Sequence, residues 1–289
     1  WAVDAASPSS SLLSQASGSK TPIQLERYTV LNKIGEGGMG EVYLAKDNIL
    51  GRNVACKIYS LDNYSKSYKE ELLLKEAKTT AILNHQNIVT LFDIGLADDF
   101  FFLAMEYVEG KSLKEMINEP NKLNFSLVID IFRQVCRGLN CAHEKSIVHL
   151  DVKPANIMRS DVSRTVKIMD FGIAKVLRHT LEQGMIMFTP HYVAPEQIRG
   201  HSVDYRTDIY SLGVTMFEVS TRELPFKNGD YLYHHLHSAP PNPRDINPDL
   251  PAEFARILLK CMEKKPEDRY SSVKEILQDL DQFPKKNVW

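Results

Sequence analysis

From Tyr28 onward, apolar residues gather in short β-prone runs broken by turn residues. Tyr28–Ile34, Glu41–Lys46 and Asn53–Tyr59 follow this pattern, which predicts an antiparallel meander. The charged, apolar-studded stretch Tyr64–Leu83 predicts a helix. Ile88–Leu96 and Phe100–Tyr107 add two strands, for a five-stranded sheet. Past Gly110 the period lengthens. Ser126 is expected as the N-cap of a helix that lines up Val128, Ile131, Phe132, Val135, Leu139 and Ala142 on one face. Ile209–Phe217 is apolar nearly all round and predicts a buried central helix. Pro-rich Ala239–Pro251 predicts a loop, and Ala252–Met262 and Ser272–Leu280 predict amphipathic closing helices. Residues 1–27, rich in Ser, Ala and Gly, have no sustained period and read as a linker or cloning remnant, with a regulatory arm as the lesser alternative. Residues 284–289 read as a tail. No internal repeat is present.

The shift from β-prone runs to a helical pattern suggests an α+β chain, with a β-rich part of about 28–107 joined to a helical part of about 111–283 by one crossing at Glu106–Gly110. A length of 289 residues accommodates both. The net charge of −2 gives no case for general nucleic-acid or membrane-surface binding. No apolar run approaches the ~20 residues needed to span a bilayer, and the start lacks the basic and apolar parts of a signal peptide. A cytoplasmic location is expected, with anchoring elsewhere in a longer protein left open. Cys56, Cys136, Cys141 and Cys261 lack metal-ligand spacing and are expected as reduced, mostly buried thiols. His234, His235 and His237 have no nearby Cys or carboxylate set and are expected as surface histidines rather than metal ligands.

Two stretches carry chemistry. Gly35-Glu36-Gly37-Gly38-Met39-Gly40-Glu41-Val42 places glycines where a backbone can approach phosphates with its N–H groups free. Alone it is a weak signal, but it joins two predicted strands with no helix opening after it, which argues against a dinucleotide fold. His149-Leu150-Asp151-Val152-Lys153-Pro154-Ala155-Asn156, followed by Asp170-Phe171-Gly172, brings together carboxylates, a lysine and an amide. That set suits steering a hydroxyl towards a metal-bound triphosphate. A lone Asp-x-Lys is noise; with Asn156, Asp170-Phe171-Gly172 and Ala194-Pro195-Glu196 in order, chance agreement is negligible.

These motifs resemble those of the protein kinase family, and the Gly38-Met39 pair looks like the bacterial Hanks-type Ser/Thr version. The resemblance covers about Tyr28 to Phe283. It implies that Lys57, in Val54-Ala55-Cys56-Lys57, holds the α- and β-phosphates of ATP and pairs with a helix glutamate. Glu76 is the choice for that partner, with Glu70 and Glu71 as rivals. Ile34, Gly35, Glu36, Gly37, Gly38, Met39 and Gly40 would cover the nucleotide. Val42 and Ala55 would roof the adenine slot, Met158 would floor it, Met105 would close its back, and Glu106 and Val108 would present backbone groups to the base. Asp151 would accept the proton of the incoming hydroxyl and Lys153 would offset phosphoryl charge. Asn156 and Asp170 would hold Mg²⁺, with Mn²⁺ as a second option. Glu196 would pair with Arg269, and Asp208 would receive backbone N–H groups from the catalytic loop.

The resemblance implies an active ATP-dependent Ser/Thr protein kinase acting on protein substrates and on itself, with a homodimer as an option. Two rivals remain at this stage. A small-molecule kinase would lack Ala194-Pro195-Glu196 and its arginine partner, and a pseudokinase scaffold would have lost Lys57, Asp151 or Asp170. Two positions depart from the family pattern. Leu150 stands where most members carry arginine, which removes a phosphate clamp, and Phe188 stands where glycine is usual. The apolar run Met185-Ile186-Met187-Phe188 is expected to order the activation segment by packing, without phosphorylation of Thr180.

Overall fold

The short β-prone runs of the first hundred residues become a six-stranded sheet in the computed structural model, which describes residues 24–25, 27–37, 40–60, 81–97, 100–120, 123–171, 189–227 and 229–284. The strands are β1 (Gln24–Leu25), β2 (Tyr28–Gly37), β3 (Gly40–Asp47), β4 (Asn53–Ser60), β5 (Leu91–Ala97) and β6 (Phe100–Glu106). Their order is β1-β2-β3-β4-β6-β5, antiparallel from β1 through β6. β3 alternates, burying Tyr43, Ala45 and Asp47. β4, flanked by strands on both sides, is buried continuously from Val54 to Tyr59. Five strands were expected. The extra β1 lies within the 1–27 segment and pairs Leu25 with Tyr28. The strand expected from Ile88 starts instead at Leu91, because Ile88 bridges Ile168 and Val89 donates its N–H to the Ile168 carbonyl.

The chain divides into two compact units, one drawn from residues 1–64 and 92–107, the other from 65–91 and 108–289. The second holds the three-stranded sheet β7 (Gly110–Ser112), β8 (Ile157–Ser160) and β9 (Val166–Ile168). Its helices among the described residues include α1 (Leu113–Asn118), α2 (Phe125–His143), α3 (Pro195–Ile198), α4 (Tyr205–Thr221), α5 (Tyr231–His237), α6 (Pro243–Ile246), α7 (Ala252–Cys261) and α8 (Val273–Asp281).

Asn124, not the expected Ser126, caps α2: its side chain accepts the Leu127 N–H. Asn is as good a cap as Ser, and the helix starts one turn-position earlier than the apolar stripe suggests. The expected loop Ala239–Pro251 contains α6, started by the Asn242 side chain accepting the Arg244 N–H and by Pro243 at the first helical position. As expected, α4 is the buried axis of this unit, with every residue from Thr207 to Thr221 buried. It packs so closely on α7 that a Cβ at Gly213 would sit 2.6 Å from the Cys261 Cβ. The four cysteines are free thiols, three of them buried. Among the described residues no helix is long and apolar enough to cross a membrane.

Of the helix expected over Tyr64–Leu83 only residues 81–83 are described. Glu70, Glu71, Glu76, Gly38, Met39, Gly172, Thr180 and Met185 to Phe188 also lie outside the described residues.

Candidate active site

In the first unit, the glycine-rich stretch forms the end of the β2–β3 hairpin, with Gly35 opposite Val42, Glu36 opposite Glu41 and Gly37 opposite Gly40. Gly40 has a φ of +154°, and a Cβ there would lie 2.4 Å from the Ile58 carbonyl oxygen, so only glycine fits. Ile34 is exposed at the edge of this hairpin. Lys33 Nζ reaches Glu36 (2.6 Å) and Glu41 (2.5 Å), clasping its base. On the next strands, Val42 lies opposite Lys57, and Ala55 and Lys57 lie opposite Met105 and Leu103. Ala55, Lys57 and Met105 are buried, and Glu106 ends β6. A lysine ammonium 6% exposed is costly unless it has partners; one is the Tyr59 ring, 5.6 Å from Nζ.

In the second unit, the loop between α2 and β8 carries Asp151. Asp208, fully buried in the first turn of α4, accepts the His149 N–H (2.8 Å) and Leu150 N–H (2.7 Å) and pairs with His143 Nε2 (2.8 Å). These bonds hold Leu150 at φ +68°, a conformation that costs a non-glycine residue roughly 1–2 kcal/mol. His149 braces the same loop: its Nδ1 accepts the Asp151 N–H (3.2 Å), which leaves Nε2–H to donate to the Met169 carbonyl (2.8 Å). Its ring packs 4.6 Å from that of Phe171.

Around Asp151 the expected partners assemble. Lys153 Nζ lies 2.7 Å from Asp151 Oδ2 and donates to Thr189 Oγ1 at 2.7 Å. The Thr189 hydroxyl donates to Asp151 Oδ1 at 3.0 Å. Asn156, on a short 3-10 turn at Pro154–Asn156, donates from Nδ2 to both the Asp151 carbonyl and Oδ2 at 2.9 Å. Asp170 follows β9 at φ +59°. Val108 and Met158 lie in this unit as well, Val108 just before β7 and Met158 on β8 opposite Ser112.

The segment that follows is anchored as expected. Arg269 forks onto Glu196 with two bonds of 2.8 Å, and the Thr207 hydroxyl adds a third. Burial alone would raise the Glu196 carboxyl, but the guanidinium beside it holds it below the usual carboxylate range. Sequence reasoning missed Glu218. This buried α4 carboxylate takes the Tyr192 hydroxyl and Lys114 Nζ (2.8 Å), and Tyr192 sits in the loop carrying Thr189. A glutamate inside an otherwise apolar helix was the available signal. His235 also corrects an expectation: it is fully buried, not at the surface.

Residues 28–280 match the family model described as protein kinase domain. A probable serine/threonine-protein kinase of Clostridium perfringens is 40% identical over 268 residues, covering 90% of this chain and 38% of that protein. The serine/threonine-protein kinase PrkC of Bacillus subtilis is 37% identical over 259 residues, 88% of this chain and 40% of that protein. The chain thus spans about two fifths of the length of the curated relatives it matches. Among solved structures, the Mycobacterium tuberculosis PknI kinase domain superposes with a TM-score of 0.73 at 26% identity, covering 91% of this chain and 98% of that one.

Proposed function

This chain belongs to the protein kinase family, among its bacterial Ser/Thr members, and on that premise we propose that it transfers the γ-phosphoryl group of ATP to Ser or Thr hydroxyls of proteins, its own chain included. The observation that carries the reading is the Thr189 hydroxyl donating to Asp151 Oδ1. That oxygen is already aimed to accept an alcohol proton, and its partner oxygen is held by Asn156 and Lys153. An incoming hydroxyl bound there has its proton drawn off as phosphorus is attacked, and Lys153 offsets the phosphoryl charge. Positioning and electrostatics carry most of the acceleration in such reactions, with the general base contributing about 10²–10⁴-fold.

Asn156 and Asp170 suit a hard divalent ion. The Asn156 amide spends both N–H bonds on Asp151, which leaves its oxygen as the end that can hold a cation, and Asp170 supplies a carboxylate. When bound, Mg²⁺ neutralises phosphate charge; the all-oxygen donor pair favours it, with Mn²⁺ as an alternative. The proposed nucleotide residues are Ile34 to Gly40 (with Gly38 and Met39 among them), Val42, Ala55, Lys57, Met105 and Glu106 of the first unit and Val108 and Met158 of the second, with Glu76, outside the described residues, as the proposed partner of Lys57. The buried Glu196–Arg269 fork supports protein over small-molecule substrates.

ATP turnover measured with and without a generic basic protein tests the reading. Phosphate appearing on Ser or Thr of the added protein is expected. Absence of turnover would indicate a scaffold, and turnover without transfer to protein would indicate a small-molecule kinase.

A further inference from the structure

The loop that carries Thr189 is held from a second side, by a buried hydrogen-bonded relay outside the catalytic cluster. His235 on α5 has no exposed surface. Its Nε2 lies 3.1 Å from the His191 carbonyl and its Nδ1 lies 2.8 Å from the Tyr210 hydroxyl. Tyr210, on α4, is also fully buried, and Lys264 Nζ lies 3.4 Å from its oxygen and 3.1 Å from the His234 carbonyl. Chemistry fixes the direction of every bond. A carbonyl only accepts, so His235 carries its proton on Nε2. Nδ1 must then accept, so the Tyr210 O–H points at it, and the remaining Tyr210 lone pairs face the ammonium of Lys264.

The terminus of the relay lies where substrate recognition is set. The Tyr192 N–H closes a turn onto the Thr189 carbonyl at 3.1 Å, so the His191 peptide sits inside the turn that presents Thr189 to Asp151. Tyr192 fixes one end of this turn through Glu218, and its carbonyl accepts the Ser211 hydroxyl at 2.8 Å. Only the His235 bond reaches the middle among the hydrogen bonds of the described residues. The His191 ring, packed 4.2 Å from Tyr231, adds an apolar seat on the same helix.

We propose that His235 is a positioning residue for the protein substrate: through the His191 carbonyl it sets the turn that presents Thr189, and Lys264 and Tyr210 fix its tautomer. This rests on the kinase reading above. Burial, and then the nearby charge of Lys264, push the His235 imidazole down to about 4, against the hydrogen bond to the His191 carbonyl, which acts the other way. The neutral single-proton form that the relay requires is therefore the form present at neutral pH.

The test compares wild type with His235→Phe and His235→Gln on ATP and a Ser/Thr peptide that the wild type phosphorylates. His235→Phe keeps the ring and removes both bonds; KM for the peptide should rise about tenfold, the scale of one lost positioning bond, with KM for ATP unchanged. His235→Gln keeps a donor and an acceptor and should recover most of the loss. A folded His235→Phe with the wild-type peptide KM, or one raising both KM values alike, overturns the proposal. If His235→Phe does not fold, Tyr210→Phe, which deletes only the hydroxyl, decides by the same ratio of KM values. Inactivity of the wild type overturns the kinase reading and this proposal together; wild-type activity with an unmoved ratio overturns the positioning role alone.

Discussion

Two carboxylates in the second unit, Asp151 and Asp170, differ in what surrounds them, and their substitutions should separate. Asp151 faces a hydroxyl, a lysine and an amide. Asp151→Asn removes the proton acceptor but leaves the donor set for ATP alone. It should lower kcat by about 10²–10⁴-fold and leave ATP affinity near wild type, as read by steady-state kinetics beside nucleotide titration. Asp170→Asn should instead weaken metal-dependent nucleotide binding. Equal constants for wild type and Asp151→Asn would remove Asp151 as the base. His235 makes a separate prediction for stability against pH. Its folded value is near 4, below its ordinary value of 6.5. Between these values the unfolded chain binds a proton that the folded chain refuses, so stability falls as pH drops from about 6.5 to 4. His235→Gln should flatten that part of the denaturant-unfolding profile, and an unchanged slope would count against a buried neutral His235. The grouping of Asp151, Lys153 and Asn156 was legible in sequence, because they lie within one short stretch. His235 was not, since a histidine on a short helix gives no sign of its burial until α4 packs beneath it.

Single elements divide the same way. The buried helix α4 was legible because apolar residues run nearly all round it, and β3 and β4 were legible as short apolar runs between turn residues. Ile88 was misread because its pattern is that of a strand continuing into β5, while its bridge partner, Ile168, lies in the three-stranded sheet of its own unit. The cap of α2 was misread because Asn124 and Ser126 satisfy the same rule and only the backbone chooses between them. Long-range fixation by α3 and the turn at Pro266–Asp268 also leads to a prediction. Arg269→Leu strands the Glu196 carboxylate, and breaking such a buried pair typically costs ~3–5 kcal/mol, measurable as a lower denaturant midpoint at neutral pH. The sign against pH follows from the same pair. In wild type the Glu196 carboxyl is held low, so its stabilising contribution is present above its ordinary value and is lost as pH falls through the folded one. In the variant the unpaired carboxylate protonates at higher pH. The difference between the two proteins should therefore shrink in acid, and a gap constant from neutral to acid pH would show that the pair is not the cause.

At the scale of the whole molecule, the question is whether activity needs a phosphate on the activation segment. Where arginine precedes the catalytic aspartate, its cation can meet such a phosphate and order the segment. Here Leu150 takes that place. It is 4% exposed, its N–H is spent on Asp208, and its side chain has neither charge nor donor. Asp151 is oriented without such help: Asp208 sets the turn before it, His149 braces its N–H, and Asn156 and Lys153 hold its carboxylate. The hydroxyl of Thr189 is engaged by Asp151 and Lys153, and the other threonine of the segment from Asp170 to Glu196 is Thr180. We therefore expect Thr180→Ala, and wild type treated with a phosphatase, to keep most of the wild-type kcat. Met187→Asp and Phe188→Asp should lose activity, since an unpaired charge in an apolar run opposes packing. Loss of activity on dephosphorylation, with activity restored by autophosphorylation at Thr180, would show that the segment is ordered by a phosphate after all, and that the cation receiving it lies elsewhere than at position 150.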